Sequence, residues 1–202
     1  MPAHSRFPWL RLASAGIAWF VAAAVLLHVL RRGLDAVHSQ MSLYLIGAWG
    51  PLLQSAYAGL SLSMIGLSIA LYHSMPPAAR SIAPILMCVL AGTCLTITAY
   101  ARMDMPGVDA TLEGLIHGVT AQGAFLFATT GLVLQSLRFR HDPRWRRHAR
   151  WLLPWAIACF AAVWVLALWR ELPRGLAQKA VIAMIVGWLA ASTYVLHKLR
   201  RG

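Results

Sequence analysis

The sequence predicts an all-α polytopic membrane protein, a compact bundle of six transmembrane helices. Three observations predict it. The 202 residues are 59% hydrophobic and 12% charged, with a mean hydropathy of +0.64, whereas a soluble domain is closer to a quarter charged. The charges fall in short gaps between apolar runs, each near the ~20 residues that a helix needs to cross a bilayer core. The basic residues also concentrate in alternate gaps. Spans are expected near 13–30, 51–72, 81–101, 111–137, 151–169 and 176–196. Little chain remains for a soluble part, so residues 1–202 form a single integral-membrane domain.

The first run follows Arg6 and Arg11 and ends in Leu27-His28-Val29-Leu30-Arg31-Arg32. A cleaved signal peptide needs a small-residue site after its apolar core, so this run is expected to stay as an anchor. The second carries Ser55, Gly59, Ser63, Gly66 and Ala70 on one helical face, a stripe that lets helices approach closely in lipid. Pro76-Pro77 ends it. Pro84 falls in the first turn of the third, and Pro106-Gly107 closes the excursion after it. The fourth opens on Thr111 as a helix cap and bears Gly114-x-x-x-Gly118, expected as a packing seam. Pro154 is expected in the first turn of the fifth, where its missing N–H costs little. The sixth carries Gly187 and Ala191. Trp9, Trp49, Trp151, Trp155 and Trp169 fall near span ends, at the depth that suits an amphipathic ring.

Charge sets the expected orientation. In the gaps on one side, twelve Lys and Arg stand against Asp142 alone. On the other, six stand against Asp35, Asp104, Asp109, Glu113 and Glu171. Short loops rich in Lys and Arg stay cytoplasmic, which predicts an N-in/C-in protein of the inner membrane. The net charge of +12 is then an orientation signal, with the bilayer itself and anionic lipid headgroups on the cytoplasmic side as partners, and nucleic acid is not expected. Cys88, Cys94 and Cys159 lie inside spans without a C-x-x-C pair, as small apolar residues do.

The outer side gathers the residues able to carry chemistry. Glu113 and His117 are four apart and share a helix face. His117 lies about one turn below the interface, where an ionisable group is a functional candidate. Asp104 precedes them. Across the first outer loop lie Asp35, His38, Ser42 and Tyr44. Asp104, His117 and Ser42 are the catalytic candidates, and His117, Asp104, His38 and Asp35 the metal candidates, with zinc the metal that suits them. Glu113, Thr111, Tyr44 and Lys179 are expected around a polar outer pocket. No H-E-x-x-H or comparable full signature is present. His28 and His117 toward the outer ends, with His73 and His197 toward the inner ends, have the two-depth distribution of diheme cytochromes; haem is the least favoured reading, because axial ligands must face each other in a buried pocket.

At these residues the chain resembles the bacterial six-span membrane proteins catalogued as domain of unknown function 998. The resemblance runs through Met41-Ser42-Leu43-Tyr44-Leu45-Ile46-Gly47, then Asp104, then Thr111-x-x-Gly114-x-x-His117-Gly118. It continues through Asp142-Pro143-Arg144-Trp145-Arg146 and Gly175-Leu176-Ala177-Gln178-Lys179. Leu43 and Arg102-Met103 stand where the family usually has Glu and Phe-Pro. The resemblance implies the fold and singles out Ser42, Asp104, Thr111, His117 and Lys179; it carries no activity. The function expected is a membrane protein that binds a lipid or membrane partner through a polar pocket at its outer face. The alternative is a metal-dependent intramembrane hydrolase or transferase acting on a lipid-like substrate at the outer leaflet.

Overall fold

Six long helices follow from the six apolar runs. A computed structural model describes residues 8–105, 107, 109–169 and 171–201; Arg6, Pro106 and Arg170 lie outside them. The helices are α1 (Pro8–Leu30), α2 (Gly50–Ser74), α3 (Ala83–Tyr100), α4 (Leu112–Phe139), α5 (Pro143–Leu168) and α6 (Arg174–Arg201), with short 3₁₀ turns at Met41–Leu45 and Pro77–Ala79. The described residues contain no strand.

Each helix packs on the next, and α6 returns against α1 to close a ring. Neighbours run antiparallel. Gly16 meets Gly59 and Ser63, and Gly66 meets Trp9. Gln54 bonds Ala99 while Thr96 bonds Ser61. Ser14 bonds His197 at one end of α1 and α6, and Leu176 N donates to Val37 O at the other. The start of α1 and the end of α6 therefore share one end of the bundle. The end of α1 and start of α2, the end of α3 and start of α4, and the end of α5 and start of α6 share the opposite end.

Among the described residues five helices, all but α4, are long and apolar enough to cross a membrane. α4 has the length, 28 residues, or about 42 Å at 1.5 Å per residue. Its apolar run is interrupted by His117, Thr120, Gln122 and Gln135, and two of these, His117 and Gln135, are buried against its neighbours.

The seams are built as small-residue stripes predict, with one correction. A Cβ at Gly16 would stand 2.2 Å from Ser63 Oγ and 2.3 Å from the Gly59 carbonyl, and one at Gly187 would stand 2.9 Å from Trp155. In α4 the seam glycines are Gly123, against Cys94, and Gly131, against Met87. Gly118 is not one of them: a Cβ there would meet nothing within 4 Å.

Pro154 corrects another expectation. It lies inside α5 rather than in its first turn. The helix starts two turns earlier because Asp142 caps it, accepting from Arg144 N at 3.0 Å, and the Arg-rich segment that follows is helical. Asp142 is 1% exposed and pairs with the Arg144 guanidinium at 3.0 Å. That guanidinium also donates to Ser74 O, and Arg138 donates to Ala79 O at 2.9 Å. Two arginines of the orientation signal thus also tie α4 and α5 to the α2–α3 turn. Beside them Trp145 stacks on Phe139 with centroids 4.0 Å apart.

Candidate functional site

The turn between α3 and α4 is held by four side chains of or near the start of α4. Thr111 caps the helix, accepting from Gly114 N at 3.0 Å. Its hydroxyl donates to Asp104 Oδ1 at 2.6 Å and its backbone N–H donates to Oδ2 at 3.1 Å. These two bonds from Thr111, with the His117 ring's charge as a smaller aid, hold the Asp104 carboxyl below the usual carboxylate range. Glu113, exposed, accepts from Arg102 N at 2.8 Å. His117 Nδ1 donates to the Ala101 carbonyl at 2.8 Å, satisfying an end of α3 that lacks an intrahelical partner. Because a carbonyl only accepts, Nδ1 carries a proton; in the neutral ring Nε2 presents a lone pair.

His117 is only 6% exposed. It shares a hollow with Asp104 at the end of the bundle opposite the start of α1, and the wall also includes Ser42, Gly118, Arg174 and Gln178. The empty space is about 900 Å³, its open side included. Apolar residues from α4 and α5, among them Phe125, Val163 and Leu166, complete it. Ser42, 5% exposed, stands where this hollow adjoins a second one, of about 600 Å³ with its open side included, in the centre of the ring. The hydroxyl of Ser42 and the Nε2 of His117 make no hydrogen bond among the described residues; the fully enclosed polar atoms left unpaired among them are instead the Tyr44 hydroxyl, Trp145 Nε1 and Ser192 Oγ.

The remaining candidates lie elsewhere. Asp35 and His38 pair with each other at 2.5 Å on the exposed first connection. The His38 bond, then the Val37 N–H, lower the Asp35 carboxyl. His38 and Glu171 line a neighbouring hollow, which Arg174 also borders. The Asp35/His38 pair and the Asp104/His117 pair therefore do not form one constellation, and no three His, Cys, Asp or Glu side chains among the described residues are grouped to hold a metal ion. Tyr44 is fully buried; its ring lies 4.9 Å from that of His28, and burial raises its phenol. Lys179 donates to Ala36 O at 2.8 Å and sits over the Tyr44 ring. Glu113, Thr111, Tyr44 and Lys179 thus brace the segments around the hollow rather than line it. The other span-end histidines are engaged locally: His28 with Ala24 O, His73 against Tyr72, His197 with Ser14.

Gln178 and Arg174 were not singled out by sequence reasoning. Gln178 accepts from Met41 N at 2.8 Å, fixing the 3₁₀ turn that presents Ser42. The available signal was periodicity: Gln178 lies on the same α6 face as Ile182 and Ile185, a polar residue heading an apolar stripe. Gly175 permits this contact, since a Cβ there would meet the Ser39 carbonyl at 2.5 Å.

Five apolar helices in an all-helical ring define a multi-pass membrane protein. The chain belongs to the family described as "Protein of unknown function (DUF998)", whose model matches residues 14–195. The turn at Thr111–His117, the Ser42 turn and the Gly175–Lys179 element all lie within that match. No curated protein and no solved structure matches the chain.

Proposed function

We propose that this is a non-enzymatic protein of the bacterial inner membrane, with six spans and both termini cytoplasmic, that holds a lipid or membrane partner in the hollow at its outer end. One observation carries the reading: Ser42 and His117, each more than nine-tenths buried, leave a polar atom without a partner at the wall of one partly apolar hollow. A pocket of mostly apolar lining with a few placed polar groups is the usual form of a small-ligand site. α4, long enough to span and flanked by α3 and α5, supplies the sixth crossing. The basic cluster then meets anionic headgroups at the inner surface. The experiment is lipid retention through detergent exchange, read by native mass spectrometry. Gly118→Leu projects a side chain into the hollow without meeting a neighbour; it should leave the fold intact and expel the lipid. Equal retention by wild type and Gly118→Leu would refute the reading.

A second reading, hydrolysis or transfer on a lipid-like substrate, draws on Ser42 and His117 lining the same hollow. It requires His117 Nε2 to take the proton of the Ser42 hydroxyl. Labelling by a fluorophosphonate that is lost in Ser42→Ala would favour it over simple binding.

A further inference from the structure

The outer hollow does not end at Ser42. Ser42, Ala121, Phe125 and Gln178 line both it and the central hollow, so the two adjoin across these four side chains. Their linings differ in kind. The central one is walled by Phe20, Leu60, Met64, Leu95, Ile182 and Ile185 among others. The hydroxyl of Thr98 on its wall is already engaged with Cys94 O and Thr120. Ala124 and Ala128 leave room where larger residues would close it. The outer hollow carries the charge. Arg174 lines it half-buried, with no hydrogen bond or ion pair among the described residues. The one acid on the wall, Asp104, has both oxygens bonded to Thr111.

Resting on the binding reading above, we propose that the ligand is an anionic lipid, its phosphate-bearing head against Arg174 in the outer hollow and one hydrocarbon chain threaded past Ser42 and Gln178 into the centre of the ring. Charge complementarity commits the head: the Arg174 guanidinium, unpaired among the described residues, favours an anion, and guanidinium forks match phosphate oxygens. The apolar centre commits the tail, since an apolar cavity gains nothing from holding water. The unpartnered Ser42 hydroxyl and the Gln178 amide stand at the boundary, where an ester or glycerol oxygen of such a lipid would pass. A lipid of this class is at hand in the surrounding bilayer.

The test uses the full chain purified in detergent. The probes are palmitoyl lysophosphatidylglycerol, monopalmitoylglycerol with the same chain and no phosphate, glycerol phosphate with no chain, and inorganic phosphate. Wild type should bind the lysophospholipid most tightly. Arg174→Gln should weaken that binding by about tenfold or more, the scale of one charged hydrogen bond, and leave monopalmitoylglycerol unchanged. Ala128→Phe should abolish binding of both chain-bearing probes. A wild-type measurement guards against misfolding of that variant: a diazirine at the chain end should label Leu60, Met64 or Ile185. Labelling confined to lipid-facing residues such as Trp164 or Leu168 would overturn the threading, and inorganic phosphate bound as tightly as the lysophospholipid would overturn the lipid. Either failure would leave the hollow itself standing if Gly118→Leu still expels bound lipid; loss of both would end the parent reading as well.

Discussion

The Asp104 carboxylate occupies the space that any side chain at Gly114 would need. A Cβ built on Gly114 would lie 2.0 Å from Asp104 Oδ2 and 2.2 Å from its Cγ. Thr111 holds the carboxylate there with two bonds, and His117, one turn further along α4, ties the same turn to the end of α3. The Thr-x-x-Gly-x-x-His spacing is therefore one device. Thr caps and clamps, Gly makes room for the clamped acid, and His reaches the carbonyl beneath.

Gly114→Ala should consequently destabilise the protein although alanine is the better helix former. The methyl group must expel the Asp104 carboxylate from both of its Thr111 bonds, a loss set against a helix-propensity gain of at most ~1 kcal/mol. The melting temperature in detergent should fall. In an Asp104→Ala background the same substitution should cost little, because the two positions are coupled. An equal loss in both backgrounds would show that the clash lies elsewhere.

The clamp also sets a pH dependence. Thr111 lowers the Asp104 carboxyl from its ordinary 3.8. A group depressed in the folded state contributes stability that is present above the unfolded value and is lost as pH falls through the folded one. The turn should therefore hold at neutral pH and loosen only below about 3.8, the unfolded value. Thr111→Val removes the hydroxyl from both the carboxylate and the helix cap. It should lower stability at pH 7 by about 0.5–2 kcal/mol, the worth of a cap, and flatten the acid limb. Melting temperatures across an acid titration decide it; an unchanged acid limb in Thr111→Val would mean that Asp104 is not the group responsible.

Helix count and approximate ends were legible because apolar run length depends on composition alone. Pro154 was misplaced because the start of α5 is set by the local Asp142-Pro143 cap at the head of an Arg-rich segment, and not by hydropathy. His117 was legible as an ionisable residue at depth, and its relation to Asp104 follows from the turn between α3 and α4. The separation of Asp35 and His38 from that hollow was not legible, since it depends on the path of residues 31–45, which Gly175, Gln178 and Lys179 fix from the far end of the sequence. The same long-range contact hid Gln178, whose role comes from Met41.

Gly118 and Gly16 should respond oppositely to alanine. Gly118 looked like half of a packing motif with Gly114, yet it faces open space, while Gly16 stands against Ser63 and the Gly59 carbonyl. Gly118→Ala should be neutral or stabilise by up to ~1 kcal/mol through helix propensity. Gly16→Ala must push α1 and α2 apart and should lower the melting temperature clearly, by about 1–3 kcal/mol of stability. If Gly118→Ala proves the more damaging of the two, the α4 seam passes through Gly118 after all.

The arginines between α4 and α5 divide into two groups, and their substitution should separate orientation from stability. Arg140, Arg146 and Arg150 are exposed and have no carbonyl or carboxylate partner among the described residues, whereas Arg144 pairs with the buried Asp142 and donates to Ser74 O. Reporter fusions after Arg80 and Arg144 should read cytoplasmic, and fusions after Asp35 and Arg174 periplasmic, on the charge bias alone. Replacing Arg140, Arg146 and Arg150 together with Gln should weaken that bias, giving mixed reporter signals, with the melting temperature unchanged. Arg144→Gln should do the reverse. It leaves orientation intact but strips the buried Asp142 carboxylate of its charged partner, at a cost of about 1–3 kcal/mol. A periplasmic signal from the fusion after Arg144 in the otherwise unaltered protein would invert the assignment and place the Asp104–His117 hollow on the cytoplasmic face.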